Sequence, residues 1–257
     1  MTARLQRRAA GFTLIELMIS ITITLFLMAG ILALVVNMKG SFTTQDQLGR
    51  TQENTLFALT TLDTTIRHAG YFPDPTINAE SAAMPETTTA NADGSTFLVG
   101  QSMGGSAGAG SASDTITVRF QSASDDGLMN CAGDTNKTGA NLSWSNTFAV
   151  NASSQLTCTV SVDGGAPGAP VALIDNVASL RVLYGVDSAA PAFNVDRYVT
   201  AADIGTTYPF TSVHSVRLSI VFNDLVNSRA GAVVTLPVLT HTINLMNRRY
   251  AEQEVVP

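Results

Sequence analysis

Gly11-Phe12-Thr13-Leu14-Ile15-Glu16-Leu17 leads into a run in which no Asp, Glu, Lys or Arg occurs from Leu17 to Met38. About 22 residues at a rise of about 1.5 Å span roughly 33 Å, enough to cross the hydrocarbon core of a bilayer. Arg4, Arg7 and Arg8 precede the run and only Lys39 lies close after it, so the positive-inside rule puts the N-terminus in the cytoplasm and the bulk of the chain outside. A secretory signal has a shorter apolar core, with its small-residue cleavage site beyond that core. Here the small residue, Gly11, and an aromatic, Phe12, come first, and one carboxylate, Glu16, sits at the edge of the run. Deep in a membrane helix that carboxylate costs about 2.5–3.5 kcal/mol, so it usually has a partner.

The stretch Gly11 to Leu17 closely resembles the class III signal of type IV prepilins. The resemblance implies cleavage between Gly11 and Phe12 by a prepilin peptidase, and N-methylation of Phe12. It also gives Glu16 an assembly role, paired with the N-terminal amine of a neighbouring subunit in a filament core. A helix-capping acid at a membrane interface is the other reading of Glu16. Ala29, Gly30 and Ala33 either permit close helix approach or are ordinary membrane-helix composition. Many major pilins carry a proline in this stretch; none occurs here between Phe12 and Phe72, which favours a low-abundance subunit.

After Lys39 the chain turns polar, with Leu48, Leu59, Leu62, Ile66 and Ala69 at helical spacings. Arg67 and His68 in a last turn, Gly70 after it and Pro73 beyond form a stop signal. The pattern predicts one helix from Phe12 to Ala69, with a hinge at Gly40-Ser41 as the alternative. Residues 79–113, rich in Ala, Ser, Thr and Gly, read as a surface excursion, mobile from Gly104 to Gly110. Runs at Thr115 to Phe120, Leu156 to Val162, Val177 to Val186, Val213 to Phe222 and Val233 to Leu245 read as strands. Asp125-Asp126-Gly127, Asp163-Gly164-Gly165 and Pro167-Gly168 read as turns between them. The expected fold class is α+β, a long N-terminal helix packed on a C-terminal antiparallel β-sheet head. The expected organisation is a leader at 1–11, a transmembrane segment at 12–38, an amphipathic continuation at 39–70 and a β-rich head at 71–257.

Leu62-Asp63, Ile66 to Tyr71, Ser113 to Phe120, Ser179 to Asp187, Val216 to Ile220 and Asn247-Arg248-Arg249 resemble PilW-type minor pilins. That resemblance implies a structural subunit of the type IV pilus, placed near the tip and helping to initiate assembly. Its implied partners are other minor pilins, the major pilin, the prepilin peptidase and the inner membrane. A J-type pseudopilin of a type II secretion system, or a helix-anchored adhesion module, are the alternatives.

The composition fits export. Net charge is -6, and losing three of the 14 basic residues with the leader leaves 11 against 20 acidic ones, which disfavours nucleic-acid binding. Cys131 and Cys158, the two cysteines, are too far apart for a CxxC motif; outside the cytoplasm they read as a disulfide, with two buried thiols as the alternative. His68, His214 and His241 are isolated and form no metal spacing. Asp125, Asp126, Asn130 and Asp134 hold oxygens enough for calcium but not the EF-hand pattern, so a solvated loop is preferred. No nucleophile elbow or phosphate loop appears, and no enzyme activity or cofactor is expected.

Overall fold

In the computed structural model, which describes residues 13–188, 194–205, 207–224, 228 and 232–247, one helix, α1, runs from Leu14 to Arg67. It passes through Gly40-Ser41 unbroken. The chain divides within this helix into two units, Met1–Thr51 and Gln52–Pro257.

In the second unit, Ala58, Leu62, Ile66 and Ala69 are fully buried at spacings of four, four and three, one face of a helix continuing into its terminal turn. Leu59 packs half-buried beside them, whereas Leu48, expected on the same stripe, is exposed. The helix stops as anticipated from its glycine: Gly70 takes a positive φ of 77°. The Asn247 side-chain amide donates to the carbonyls of Arg67 and Ala69 at 3.2 and 3.4 Å, satisfying acceptors that a helix end leaves open.

The head has two antiparallel sheets where the sequence suggested one. The first holds β1 (Met103–Ser106), β2 (Thr115–Ser122), β3 (Leu142–Val150), β4 (Leu156–Val162) and β5 (Val171–Ile174) in that order. The second is ordered β7 (Arg197–Val199), β6 (Val177–Val186), β8 (Val213–Phe222) and β9 (Leu239–Asn244). Leu180, Val182 and Tyr184 of β6 and Val216, Leu218 and Ile220 of β8 point into the same core as α1, at the two-residue period of a half-buried strand. Asp114, just before β2, joins the sheets: it accepts from the backbone N–H of Val182 at 2.8 Å and from Arg181 at 3.1 Å.

The first sheet is covered on both faces. Ile116 and Val118 face the core, Phe120 is buried against His68, and Thr117 and Arg119 point the other way yet are also buried. The excursion at 79–113 covers them, so it is no solvated loop. It contains a short helix, α2 (Glu80–Ala83), buries Met84, Phe97 and Met103, and places Asp93 within 2.8 Å of the Thr117 hydroxyl. Arg119 anchors it by donating to the carbonyls of Gln101, Pro85 and Leu98, with its guanidinium 4.6 Å from the Phe97 ring. Burial lowers its pKa to about 10 against the weaker opposing pull of Glu80, so it stays charged. The glycine stretch expected to be mobile is tied down too. Met103–Ser106 is strand β1, and the Gly108 N–H donates to Asp114 at 2.8 Å. Gly105 lies against the Tyr184 hydroxyl, where any Cβ would collide.

Arg119→Met leaves several buried carbonyls without a donor, and is expected to lower stability by about 3 kcal/mol in urea unfolding of the full chain in detergent. An unchanged midpoint would show that the excursion is held by its apolar side chains instead.

Candidate functional site

The first unit carries the chemistry expected of an anchor. Thr13 precedes α1 and Glu16 lies three residues on, the arrangement of a capping box. The Glu16 N–H donates to the Thr13 side-chain oxygen at 3.4 Å, and the Thr13 hydroxyl lies 3.4 Å from the Glu16 carboxylate. Both contacts are long, and among the described residues Glu16 has no cationic partner. Gly11 and Phe12 lie outside the described residues.

Residues 13–43 are exposed throughout, including Phe26 at 85%. Three hydroxyls in this apolar stretch would be costly in hydrocarbon, and each is satisfied within the helix. Ser20 donates to the Glu16 carbonyl at 2.7 Å, Thr22 to Ile19 at 2.8 Å and Thr24 to Ser20 at 2.7 Å. The helix is long and apolar enough to cross a membrane, and among the described residues its side chains in this part are exposed.

In the head, Cys131 and Cys158 are joined in a disulfide with Cα atoms 6.0 Å apart. It ties the loop after β2 to β4, and the loop is further ordered by the Cys131 N–H donating to Asn146 at 2.8 Å. Oxygens of Asp126 and Asn130, two of the four residues with calcium-binding potential, are spent on the loop's own backbone. Asp126 accepts from Ala123 and Leu128 N–H groups, and Asn130 from those of Ala132 and Asp134. Among the described residues no cluster of His, Cys, Asp or Glu could hold a metal ion.

Two histidines read as isolated sit where α1 ends. His241 on β9 lies 3.0 Å from Asp63, whose other oxygen takes Arg67 at 2.5 Å. Burial works to raise the Asp63 pKa, but hydrogen bonds from Arg67 and then His241 outweigh it and hold the carboxyl below its ordinary value. His68 packs edge-on to Phe120 with ring centroids 5.3 Å apart, and its buried Nδ1 has no hydrogen-bond partner. Burial lowers its pKa against the opposing charge of Asp126. Sequence spacing could not pair Asp63 with a strand 178 residues away; the Thr13-x-x-Glu16 pattern, by contrast, was available and marks the cap.

Both shifts make stability fall as pH drops, in two different windows. The Asp63 contribution is present above the ordinary carboxylate range and is lost as pH falls through its lowered folded value, so Asp63→Asn should remove part of the acid limb below about pH 4. The unfolded state protonates His68 more readily than the folded one, so stability should fall as pH drops below about 6.5, and His68→Leu should flatten that slope. Urea midpoints measured from pH 3 to 8 check both.

Residues 143–254 match the family described as Type IV Pilus-assembly protein W, and residues 6–32 match the Prokaryotic N-terminal methylation motif. No curated protein matches the chain. A solved structure of a type IV-like pilin from Thermus thermophilus is similar at 11% identity and a TM-score of 0.45, covering 77% of this chain and 97% of its own. The two family matches fall on the motif that opens the apolar helix and on the second half of the head, and together they support a pilus-related structural subunit.

Proposed function

We propose that this chain is a minor pilin that enters the type IV pilus near its tip and helps to initiate assembly. The observation that carries the reading is α1, whose first part exposes an apolar surface with one carboxylate in its first turn and matches the N-terminal methylation motif. The pilus-related structural role follows from the two family matches.

Cleavage between Gly11 and Phe12 by the prepilin peptidase creates a cationic α-amino group on Phe12, later N-methylated, one helical turn from Glu16. In hydrocarbon an unpaired Glu16 costs about 2.5–3.5 kcal/mol, and the capping contact with Thr13 is too long to offset that. A neighbouring subunit's amine supplies the missing charge, so assembly relieves a penalty that the anchored monomer carries. The head then lies outside the inner membrane, in the periplasm and on the fibre, where its disulfide is stable. Other minor pilins and the major pilin are the partners this requires.

Glu16→Leu should leave the chain processed and anchored but reduce its recovery in sheared pili by about tenfold or more, a loss of about 1.4 kcal/mol or more in incorporation. Quantitative immunoblotting of membrane and pilus fractions checks this. Wild-type recovery of the variant would show that Glu16 does not govern entry.

A further inference from the structure

We propose that the outward face of the second sheet docks a carboxylate-rich protein surface, anchored by Arg217 seated on Tyr198. The alternation that sends Val216, Leu218 and Ile220 into the core puts Ser215, Arg217 and Ser219 on the opposite face of β8. Register aligns Arg217 with Leu183 on β6 and Thr242 on β9, with Arg181 two residues along β6 from Leu183. Across β6, β8 and β9 this face carries two arginines and no Asp or Glu, in a chain of net charge -6. Its strand residues contribute positive charge only, in an acidic protein.

The two arginines differ. Arg181 is committed: it bonds Asp114 at 3.1 Å and the Gly110 carbonyl at 2.7 Å. Arg217 has no carboxylate partner among the described residues, and its guanidinium lies 3.8 Å from the Tyr198 ring centroid. That ring is itself fixed. Ser215 donates to the Tyr198 hydroxyl at 3.2 Å, and Tyr198 pairs with Gly185, where any side chain would strike Ser215 and crowd the ring. A guanidinium held over an aromatic ring loses little freedom on binding and can present its fork to a carboxylate.

Tyrosine with arginine is the composition of an interface hot spot. A sheet surface is flat, which suits a protein partner better than a small ligand needing a cleft. The inference does not rest on filament entry, and its failure would leave the anchor assignment untouched.

The test uses the full chain in neutral detergent micelles, with a fluorescein-labelled poly-L-glutamate peptide followed by anisotropy at fixed salt. Arg217→Gln is expected to weaken binding about tenfold or more. Arg217→Lys restores only part, since an ammonium neither stacks nor forks. Tyr198→Leu weakens binding with no change of charge, which keeps the test open should Arg217→Gln fail to fold. Arg197→Gln, an exposed cation on the other face of β7, leaves binding unchanged. Binding by Arg217→Gln equal to wild type, equal weakening by Arg197→Gln, or tighter binding of heparin than of poly-L-glutamate would each overturn the proposal.

Discussion

Burial of Ala58, Leu62, Ile66 and Ala69 in the core shared with both sheets is the contact on which the head depends. Without it, Leu180, Val182, Val216 and Leu218 would lose part of the apolar surface they pack against. The end of α1 is also held by polar contacts that only this placement allows, Asp63 with His241 and the carbonyls of Arg67 and Ala69 with Asn247. The same helix, before residue 52, presents a different surface: uncharged from Leu17 to Met38, exposed, and with each hydroxyl from Ser20 to Thr24 returned to its own backbone. One continuous element therefore ends in a protein core and begins as an exposed apolar surface long enough to cross a membrane.

The head buries many polar side chains and meets most of their hydrogen bonds internally. Thr117 bonds Thr147 at 2.9 Å and Asp93 at 2.8 Å, and the Trp144 indole N–H reaches Ser122 at 2.8 Å. Arg119 carries its charge into this layer with carbonyls for company, so the excursion is fastened by dipoles rather than by an ion pair. Satisfied in this way, such groups cost little and specify one arrangement; any one left unpaired would cost about 1–3 kcal/mol.

How far the sequence could be read follows from this division of labour. The apolar run, the glycine stop at Gly70 and the strands Val177–Val186 and Val213–Phe222 were legible because their signals are local: hydrophobic content, a breaker, and alternation against one core. Strand β3 escaped because its faces mix Trp144 and Phe148 with Ser143, Ser145 and Thr147, which read as solvated but are buried beneath the excursion. β1 hid behind Gly104 and Gly105, whose missing side chains make room for Tyr184. The run from Val233 to Leu245 reads as one strand, but Pro237 cannot join a ladder, and β9 begins only at Leu239. Of the sites, Glu16 was visible as a lone carboxylate, whereas the pairing of His241 with Asp63 and the face around Arg217 exist only once the strands are in register.

The central claim is that the apolar helix is the anchor of a processed pilin, retained whole in the mature protein. Intact-mass and N-terminal peptide analysis of the protein from its native host, with and without the prepilin peptidase, tests it most directly. The account predicts a chain that begins at N-methylated Phe12 only when the peptidase is present. An uncleaved chain, or one cut after the apolar run, would contradict it.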